Sequence, residues 1–158
     1  MKLSQLCTAC GLCCDGSLFR FVPADEGERE KYARLGLPLV QQSGCTAMAL
    51  PCRRLSERKC GVYEERPSTC RAYVCRLGDD LQRGKVAFAE ALAVVREAQR
   101  RIAALQAAFP APGPVVQSAT SAALRGDPSL TDVAYELLSD VRTWIDERMH
   151  WPDDGQLA

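Results

Sequence analysis

Apolar residues recur at helical spacing through the second half of the chain. In GKVAFAEALAVVREAQRRIAALQAAF, four large apolar residues lie seven positions apart: Phe88, Val95, Ile102 and Phe109. Smaller or branched apolar residues continue the same stripe between them: Ala91, Ala98 and Leu105. This pattern predicts one amphipathic helix of about seven turns. The segment PAPGP at 110–114 ends it, because proline is excluded from helix interiors.

Two further helices are expected after that break. Residues 115–125 form a short helix closed by Gly126, and the last helix runs from about Leu130 to His150. Ser129 and Asp132 are spaced as a capping box at its start. Its predicted apolar face consists of Leu130, Val133, Leu137, Val141, Trp144 and Met149. We expect the two long helices to pack as an antiparallel pair. A dimerising coiled coil is the less favoured alternative, because the repeat is short and lacks a charge code.

The first half shows shorter and weaker patterns. SLFRFV (17–22) is typical of a short strand, and ADEGEREKYARLG predicts a helix that ends at Gly36. Residues 37–59 show no sustained period and are expected to be irregular. RPSTCRAYVCRLG predicts a short helix, with Pro67 in its first turn and Gly78 at its C-terminal cap. The fold class is therefore mainly α, with an irregular cysteine-rich region at 1–84 and a helical region at 85–158 packed against it.

All nine cysteines lie in the first 75 residues, and four of them occur in CTACGLCC at 7–14. The N-terminus shows no signal peptide, so we expect a cytoplasmic protein whose cysteines stay reduced. Closely spaced thiols in a reducing compartment favour metal binding or redox chemistry over disulfides. Consecutive side chains point in different directions, so Cys13 and Cys14 are poorly placed to serve one small site together.

The cysteine-bearing stretches resemble a known family. CTACGLCC, PCRRL and CGVYEERPSTCRAYVC are similar to the motifs of the CxxCxxCC, or YkgJ-type cysteine-cluster, family of zinc- or iron-chelating proteins. The resemblance covers about residues 7–77 and implies metal or iron–sulfur binding, with no agreed reaction. Eight cysteines fall on its motif positions and are the candidate metal ligands: Cys7, Cys10, Cys13, Cys14, Cys52, Cys60, Cys70 and Cys75. Cys45 lies outside the motifs.

Eight ligands divide naturally into two groups of four. CxxCxxC supplies three sulfurs to one zinc ion or iron–sulfur cluster, which leaves Cys14 free for another centre. In a helix, Cys70 and Cys75 would lie about 140° apart around the axis and could also serve different centres. We therefore expect two four-cysteine centres or one larger cluster. Only the N-terminal loop has CxxC spacing, which slightly favours iron–sulfur over zinc.

Charge sharpens this interpretation. The net charge is zero, so nothing indicates binding to nucleic acid or to a membrane surface. Residues 45–76 hold seven bases against three acids, which would offset the negative charge of metal–thiolate centres. The predicted function is a metal-binding accessory protein, with an acidic C-terminal helical face that could dock a protein partner. The alternative is a redox-active iron–sulfur oxidoreductase or enzyme subunit. The sequence identifies no catalytic residue, substrate or oligomeric state.

Overall fold

The computed structural model describes residues 2–42 and 44–150. Seven α-helices lie in this part of the chain: α1 (Lys2–Cys10), α2 (Arg29–Arg34), α3 (Ser68–Ala72), α4 (Arg76–Gln82), α5 (Phe88–Ala108), α6 (Val115–Arg125) and α7 (Asp132–Arg148). Five short strands accompany them: β1 (Phe21–Pro23), β2 (Leu39–Gln42), β3 (Cys45–Ala49), β4 (Leu55–Ser56) and β5 (Lys59–Cys60). Single 3₁₀ turns occupy Glu26–Glu28 and Tyr63–Glu65. The predicted mainly α class, with its helical second half, is confirmed.

The long helices pack as predicted, with α5 and α7 antiparallel. Arg101 near the middle of α5 contacts Trp144 and pairs with Asp140 of α7, whereas Val95, one and a half turns earlier, shares a cavity with Met149. Helices α1, α4 and α6 close the other sides of this layer. The buried residues form one cluster, here called the helical core: Leu6, Leu12, Leu18, Leu77, Leu81, Ala91, Val95, Ala98, Leu105, Val115, Val116, Ala119, Ala134, Leu138, Val141, Ile145 and Met149.

Two details of α7 differ from the sequence expectation. Its buried face is Ala134, Leu138, Val141 and Ile145, and the predicted face residue Val133 is 62% exposed. Alanine contributes little to a hydrophobic pattern, so the sequence predicts the apolar face of α7 one residue too early, at Val133 and Leu137. The N-cap is Thr131, whose hydroxyl accepts the Ala134 N–H at 3.3 Å. The predicted cap, Ser129, instead bonds to Asp127.

A small antiparallel sheet occupies much of the segment that was expected to be irregular. Its strand order is β1-β3-β2, with Met48 of β3 opposite both Val22 of β1 and Leu39 of β2. Behind it lies a second cluster, the sheet core: Tyr32, Leu35, Leu37, Met48 and Cys52. The strands are two to five residues long and were too short to show an alternating pattern.

The cysteine-bearing segment after residue 66 also differs from expectation, because it forms two helices. The chain becomes extended at Tyr73 and Cys75, and Cys75 caps the second helix, α4. Gly78, predicted as a C-terminal cap, lies inside α4 against α1. A Cβ on Gly78 would come within 2.9 Å of Leu3 Cδ1, so a larger residue there would require the Leu3 side chain to shift.

None of the helices in residues 2–42 and 44–150 has the length and apolar character needed to cross a bilayer. Residues of both predicted regions contribute to the helical core, since α1 packs against α5 and the Gln99 side chain donates to the Ala9 and Cys10 carbonyls at 2.9 and 3.1 Å. The division of the chain at residue 84 stays a prediction.

Candidate metal centre

The N-terminal cysteines lie on the last turn of α1 and in the loop that follows. Cys7 and Cys10 are three residues apart in the helix, which places them on one face. Gly11 then turns the chain with a φ of +69°, a value that favours glycine. A Cβ there would lie only 3.1 Å from Arg58 Cβ. The Gly11 carbonyl accepts the N–H groups of Cys14 and Asp15 at 2.9 and 3.0 Å. The resulting tight turn points Cys13 and Cys14 in different directions.

Two downstream cysteines are brought to this turn by loops. The Cys52 N–H donates to the Cys14 carbonyl at 2.8 Å, which fixes the PCRRL segment beside the second of the adjacent cysteines. Cys60 lies in the β4–β5 hairpin opposite Leu55. The two turn residues of that hairpin, Glu57 and Arg58, have φ values of 46° and 65°. Neither residue type favours such a turn, so no local sequence signal predicts the hairpin.

The remaining two ligand candidates sit on the short helices. Cys70 is in α3, whose first N–H, on Ser68, donates to Glu28 Oε2 at 2.6 Å. Cys75 begins α4, and its sulfur accepts the Gly78 N–H at 3.4 Å. The extended backbone between the helices separates the two sulfurs, and each therefore has a different set of neighbours.

The first thiol group consists of Cys7, Cys10, Cys13 and Cys75. Burial raises the pKa of Cys13 well above its usual value, and charge on Cys10 and Cys75 would raise it further. Burial likewise raises the pKa of Cys10 to about 12, with Cys75 and Cys7 among the neighbours that add to the shift. Three members pack against the helical core: Cys10, Cys13 and Cys75. Cys7 lies at the exposed rim of the group.

The second thiol group consists of Cys14, Cys52, Cys60 and Cys70. Burial raises the pKa of Cys14 to about 12, and the next largest causes are Cys52, Cys60 and Cys70. Burial also raises the pKa of Cys70 to about 11, with Cys52 and Cys60 as its thiol neighbours. This group belongs to the sheet core, where Cys52 is buried and Cys14 and Cys70 pack against it. The adjacent residues Cys13 and Cys14 therefore fall in different groups and different cores.

A cavity of about 100 Å³ lies between the groups. Seven of the eight motif cysteines line it: Cys7, Cys10, Cys13, Cys14, Cys60, Cys70 and Cys75. Its other walls are aliphatic side chains, Tyr63 and Tyr73, and the guanidinium-bearing residues Arg58 and Arg66. Burial raises the pKa of Tyr73, with smaller contributions from Cys13, Cys75 and Cys10, so its phenol stays protonated.

Arg66 lines the cavity, and its positive charge acts on a thiol of each group. Its guanidinium stacks on the Tyr63 ring at 3.7 Å, and its Nε donates to the Tyr63 carbonyl at 2.8 Å. Its positive charge lowers the pKa of Cys7 in the first thiol group and of Cys70 in the second. Burial and neighbouring thiols outweigh this effect at both residues.

Cys45 stands apart from both groups. It lies exposed on β3, where its thiol donates to the Gln42 carbonyl at 3.0 Å. All nine cysteines are free thiols. In the part of the chain that the structure describes, no three cysteine, histidine or acidic side chains converge as the ligands of one ion do. The structure thus defines thiol neighbourhoods rather than a finished coordination sphere.

The fold and these neighbourhoods define a cysteine-rich, mainly α protein with the thiol donors that zinc and iron prefer. Comparison with known families supports this class. The model of the CxxCxxCC family, described as "Putative zinc- or iron-chelating domain", matches residues 6–91, more than half of the chain. The chain belongs to this family, and the resemblance seen in the sequence is confirmed. No curated protein and no solved structure matches it.

Proposed function

We propose that this protein binds two metal centres, each through four cysteine thiolates. The first thiol group and the second thiol group are the two ligand sets. The observation that carries the proposal is the division of Cys13 from Cys14. Besides Cys14 itself, the thiol neighbours of Cys13 are Cys10, Cys75 and Cys7, whereas those of Cys14 are Cys52, Cys60 and Cys70, and the two residues pack against different hydrophobic cores. Four thiolates complete the coordination of one zinc ion or of one four-iron cluster.

The protonation of the thiols favours ligation over cysteine catalysis. Reactive cysteines have lowered pKa values in electropositive surroundings, whereas burial raises the pKa of Cys10, Cys13 and Cys14. A bound cation removes this penalty because it holds the thiols deprotonated. Binding would then draw the sulfurs of each group from neighbouring positions into ligating ones.

The space between the groups favours iron–sulfur clusters over single zinc ions. The cavity of about 100 Å³ that seven cysteines line is several times the room that one water molecule needs. A polynuclear cluster uses such space, whereas a tetrahedral ion is enclosed by its own four sulfurs. Iron–sulfur clusters would supply one-electron redox chemistry when bound, and Tyr73 and Arg66 would limit solvent access and offset negative charge.

The biological role we propose is that of a binding or accessory protein in the cytoplasm. The wall of the cavity consists of thiols, tyrosines, arginines and aliphatic side chains. This wall supplies ligands and counter-charge to a metal centre rather than general acids and bases for a bound substrate. Nine free cysteines are also suited to a reducing compartment.

The test is purification without oxygen, followed by metal and inorganic sulfide analysis. We expect a brown protein with about eight iron and eight sulfide per chain, whose visible absorption is bleached by dithionite. A colourless protein with two zinc ions per chain would support the two metal centres but contradict their assignment as iron–sulfur clusters. A single metal centre, or none, would contradict the proposal. Repeated reversible reduction with a physiological electron carrier would favour an oxidoreductase over an accessory role.

A further inference from the structure

A cavity open to solvent lies between the small sheet and α6. It has a volume of about 600 Å³ and is lined by residues of β1, the ends of β2 and β3, the α5–α6 loop and α6. Small-molecule sites commonly have volumes of about 300–1,000 Å³, apolar walls and a few polar groups. Here Phe21, Leu50 and Phe109 supply apolar wall, and Arg20, Gln117 and Ser121 supply polar groups.

The polar groups of this cavity are available to a ligand. Within residues 2–42 and 44–150, the side chains of Arg20, Gln117 and Ser121 have no hydrogen-bond or ion-pair partner. The acidic residue of the wall, Asp127, is already engaged, since it accepts from Ser129 and lies 3.9 Å from Arg125. One uncompensated guanidinium therefore remains, that of Arg20.

The cavity adjoins the second thiol group. Phe21 and Leu50 line this cavity and also line a second, narrow cavity of about 70 Å³. Cys13, Cys14 and Cys70 are further lining residues of the narrow cavity. The α5–α6 loop contacts the cysteine-bearing turn directly: a Cβ on Gly16 would lie 2.5 Å from Pro114 Cγ, and Pro114 lines the large cavity. A ligand would thus be separated from the thiols by one layer of side chains.

We propose that this cavity binds a small organic acid, whose carboxylate pairs with Arg20 and whose apolar body lies along Phe21, Leu50 and Phe109. A guanidinium recognises a carboxylate through paired charge-assisted hydrogen bonds. A single free cation matches one negative charge, which favours a monocarboxylate over a phosphate monoester. Gln117 and Ser121 provide further hydrogen bonds. The walls of the site include Phe21 and Leu50 of the sheet region, so binding is measured on the protein as purified without oxygen.

The proposal is tested by calorimetric titration of the full-length protein, purified without oxygen, with 4-phenylbutyrate. The neutral 4-phenylbutyramide is the matched probe, and inorganic phosphate is the competing anion. We expect the acid to bind at least about tenfold more tightly than the amide, because a hydrogen bond to a charged group is the difference between them. Arg20→Gln should reduce binding of the acid to the level of the amide. Arg142→Gln, an exposed arginine in the groove between α6 and α7, is the control and should change neither.

A second variant tests the cavity rather than the charge. Ser121→Tyr should place a bulky ring in the cavity and weaken binding of both probes, with an unchanged circular dichroism spectrum and melting temperature. Equal affinity for acid and amide, no effect of Arg20→Gln, tighter binding of phosphate, or no saturable binding of the acid would each overturn the proposal. Metal analysis of the same samples keeps the two proposals separate. Protein that holds metal but does not bind the acid contradicts only this proposal, and protein without metal that still binds the acid contradicts only the proposed function.

Discussion

The two hydrophobic cores of this protein differ greatly in size. Among the described residues, the helical core contains seventeen buried residues, most of them on α1 and α4 to α7, and the sheet core contains five, one of which is Cys52. A cluster of five residues buries too little apolar surface to offset the entropy lost on ordering the loops and short strands around it. In the helical core, burial alone offsets the entropy lost on ordering, whereas the sheet core requires additional cross-links.

The thiol groups follow the same division. Cys10, Cys13 and Cys75 of the first thiol group pack against the helical core, whereas Cys14, Cys52 and Cys70 of the second thiol group belong to or pack against the sheet core. The comparison predicts that metal matters unequally for stability: loss of metal from the first site leaves its scaffold in place, whereas loss from the second removes much of what orders residues 14–70.

Removal of all metal should produce the largest effect. Structural metal in small cysteine sites contributes on the order of 10 kcal/mol to folding, so chelation should unfold the sheet region and leave the helical region intact. Hydrogen exchange measures this directly: the amides of Ala47 and Met48 in β3 should lose protection, and those of Val95 and Val141 should keep most of theirs. Uniform loss or uniform retention of protection would show that the two regions do not differ.

Replacement of the two adjacent cysteines sharpens the comparison. Cys14→Ser should remove one centre, halve the metal content and expose the β3 amides, because a serine hydroxyl is a poor ligand for zinc or iron. Cys13→Ser should also halve the metal content but leave the β3 amides protected. The two variants differ by one position in the sequence, so each is the control of the other. Loss of both centres in either variant would indicate one shared cluster.

A change in the helical core should destabilise the protein without affecting metal. Leu105 is fully buried between α5 and its neighbours, and Leu105→Ala should lower the free energy of unfolding by about 2–5 kcal/mol. Metal content should stay unchanged. Leu124→Ala, at a side chain that is 82% exposed, should change stability by less than about 0.5 kcal/mol. Urea titration followed by circular dichroism compares the two. Metal loss from folded Leu105→Ala protein would contradict the independence of the regions.

The smallest predicted effect concerns Arg66, which faces both thiol groups. Arg66→Gln removes a positive charge near Cys7 and Cys70 and should weaken metal binding at both centres by about three- to tenfold. Competition between cobalt-substituted protein and a chelator measures this affinity. Arg71→Gln is the control, because Arg71 is next to Cys70 in sequence but lies 4.0 Å from Glu28. Equal loss of metal affinity in Arg66→Gln and Arg71→Gln would contradict a specific role for the charge of Arg66.

The sequence predicted the helical half well and the sheet half poorly, for one physical reason. A helix such as α5 repeats its apolar positions over many turns, so the pattern is long enough to be recognised. Strands β4 and β5 have two residues each, and their turn places Glu57 and Arg58 at positive φ without glycine or asparagine. Their geometry is imposed by the contacts around Cys60 and Gly11 rather than by local preference.

The site shows the same limit. The eight candidate ligands were named from the resemblance of their motifs to the CxxCxxCC family, and the divergence of adjacent side chains was enough to expect different neighbours for Cys13 and Cys14. The pairing of Cys52 and Cys60 with Cys14 could not be predicted, because it depends on a hydrogen bond from Cys52 to the Cys14 carbonyl and on the position of a hairpin. Likewise, no sequence signal showed that Glu28 anchors the helix that carries Cys70.

The peptide bond between Cys13 and Cys14 has a consequence for how such chains can diverge. It fixes the α-carbons of the two residues about 3.8 Å apart, so only rotation of the two side chains can change the separation of their sulfurs. Loops elsewhere in the protein can lengthen freely, but this junction tolerates no spacer. We expect that a relative with one amino acid inserted there would keep at most half of the metal-binding capacity. Deletion of either cysteine should have the same effect.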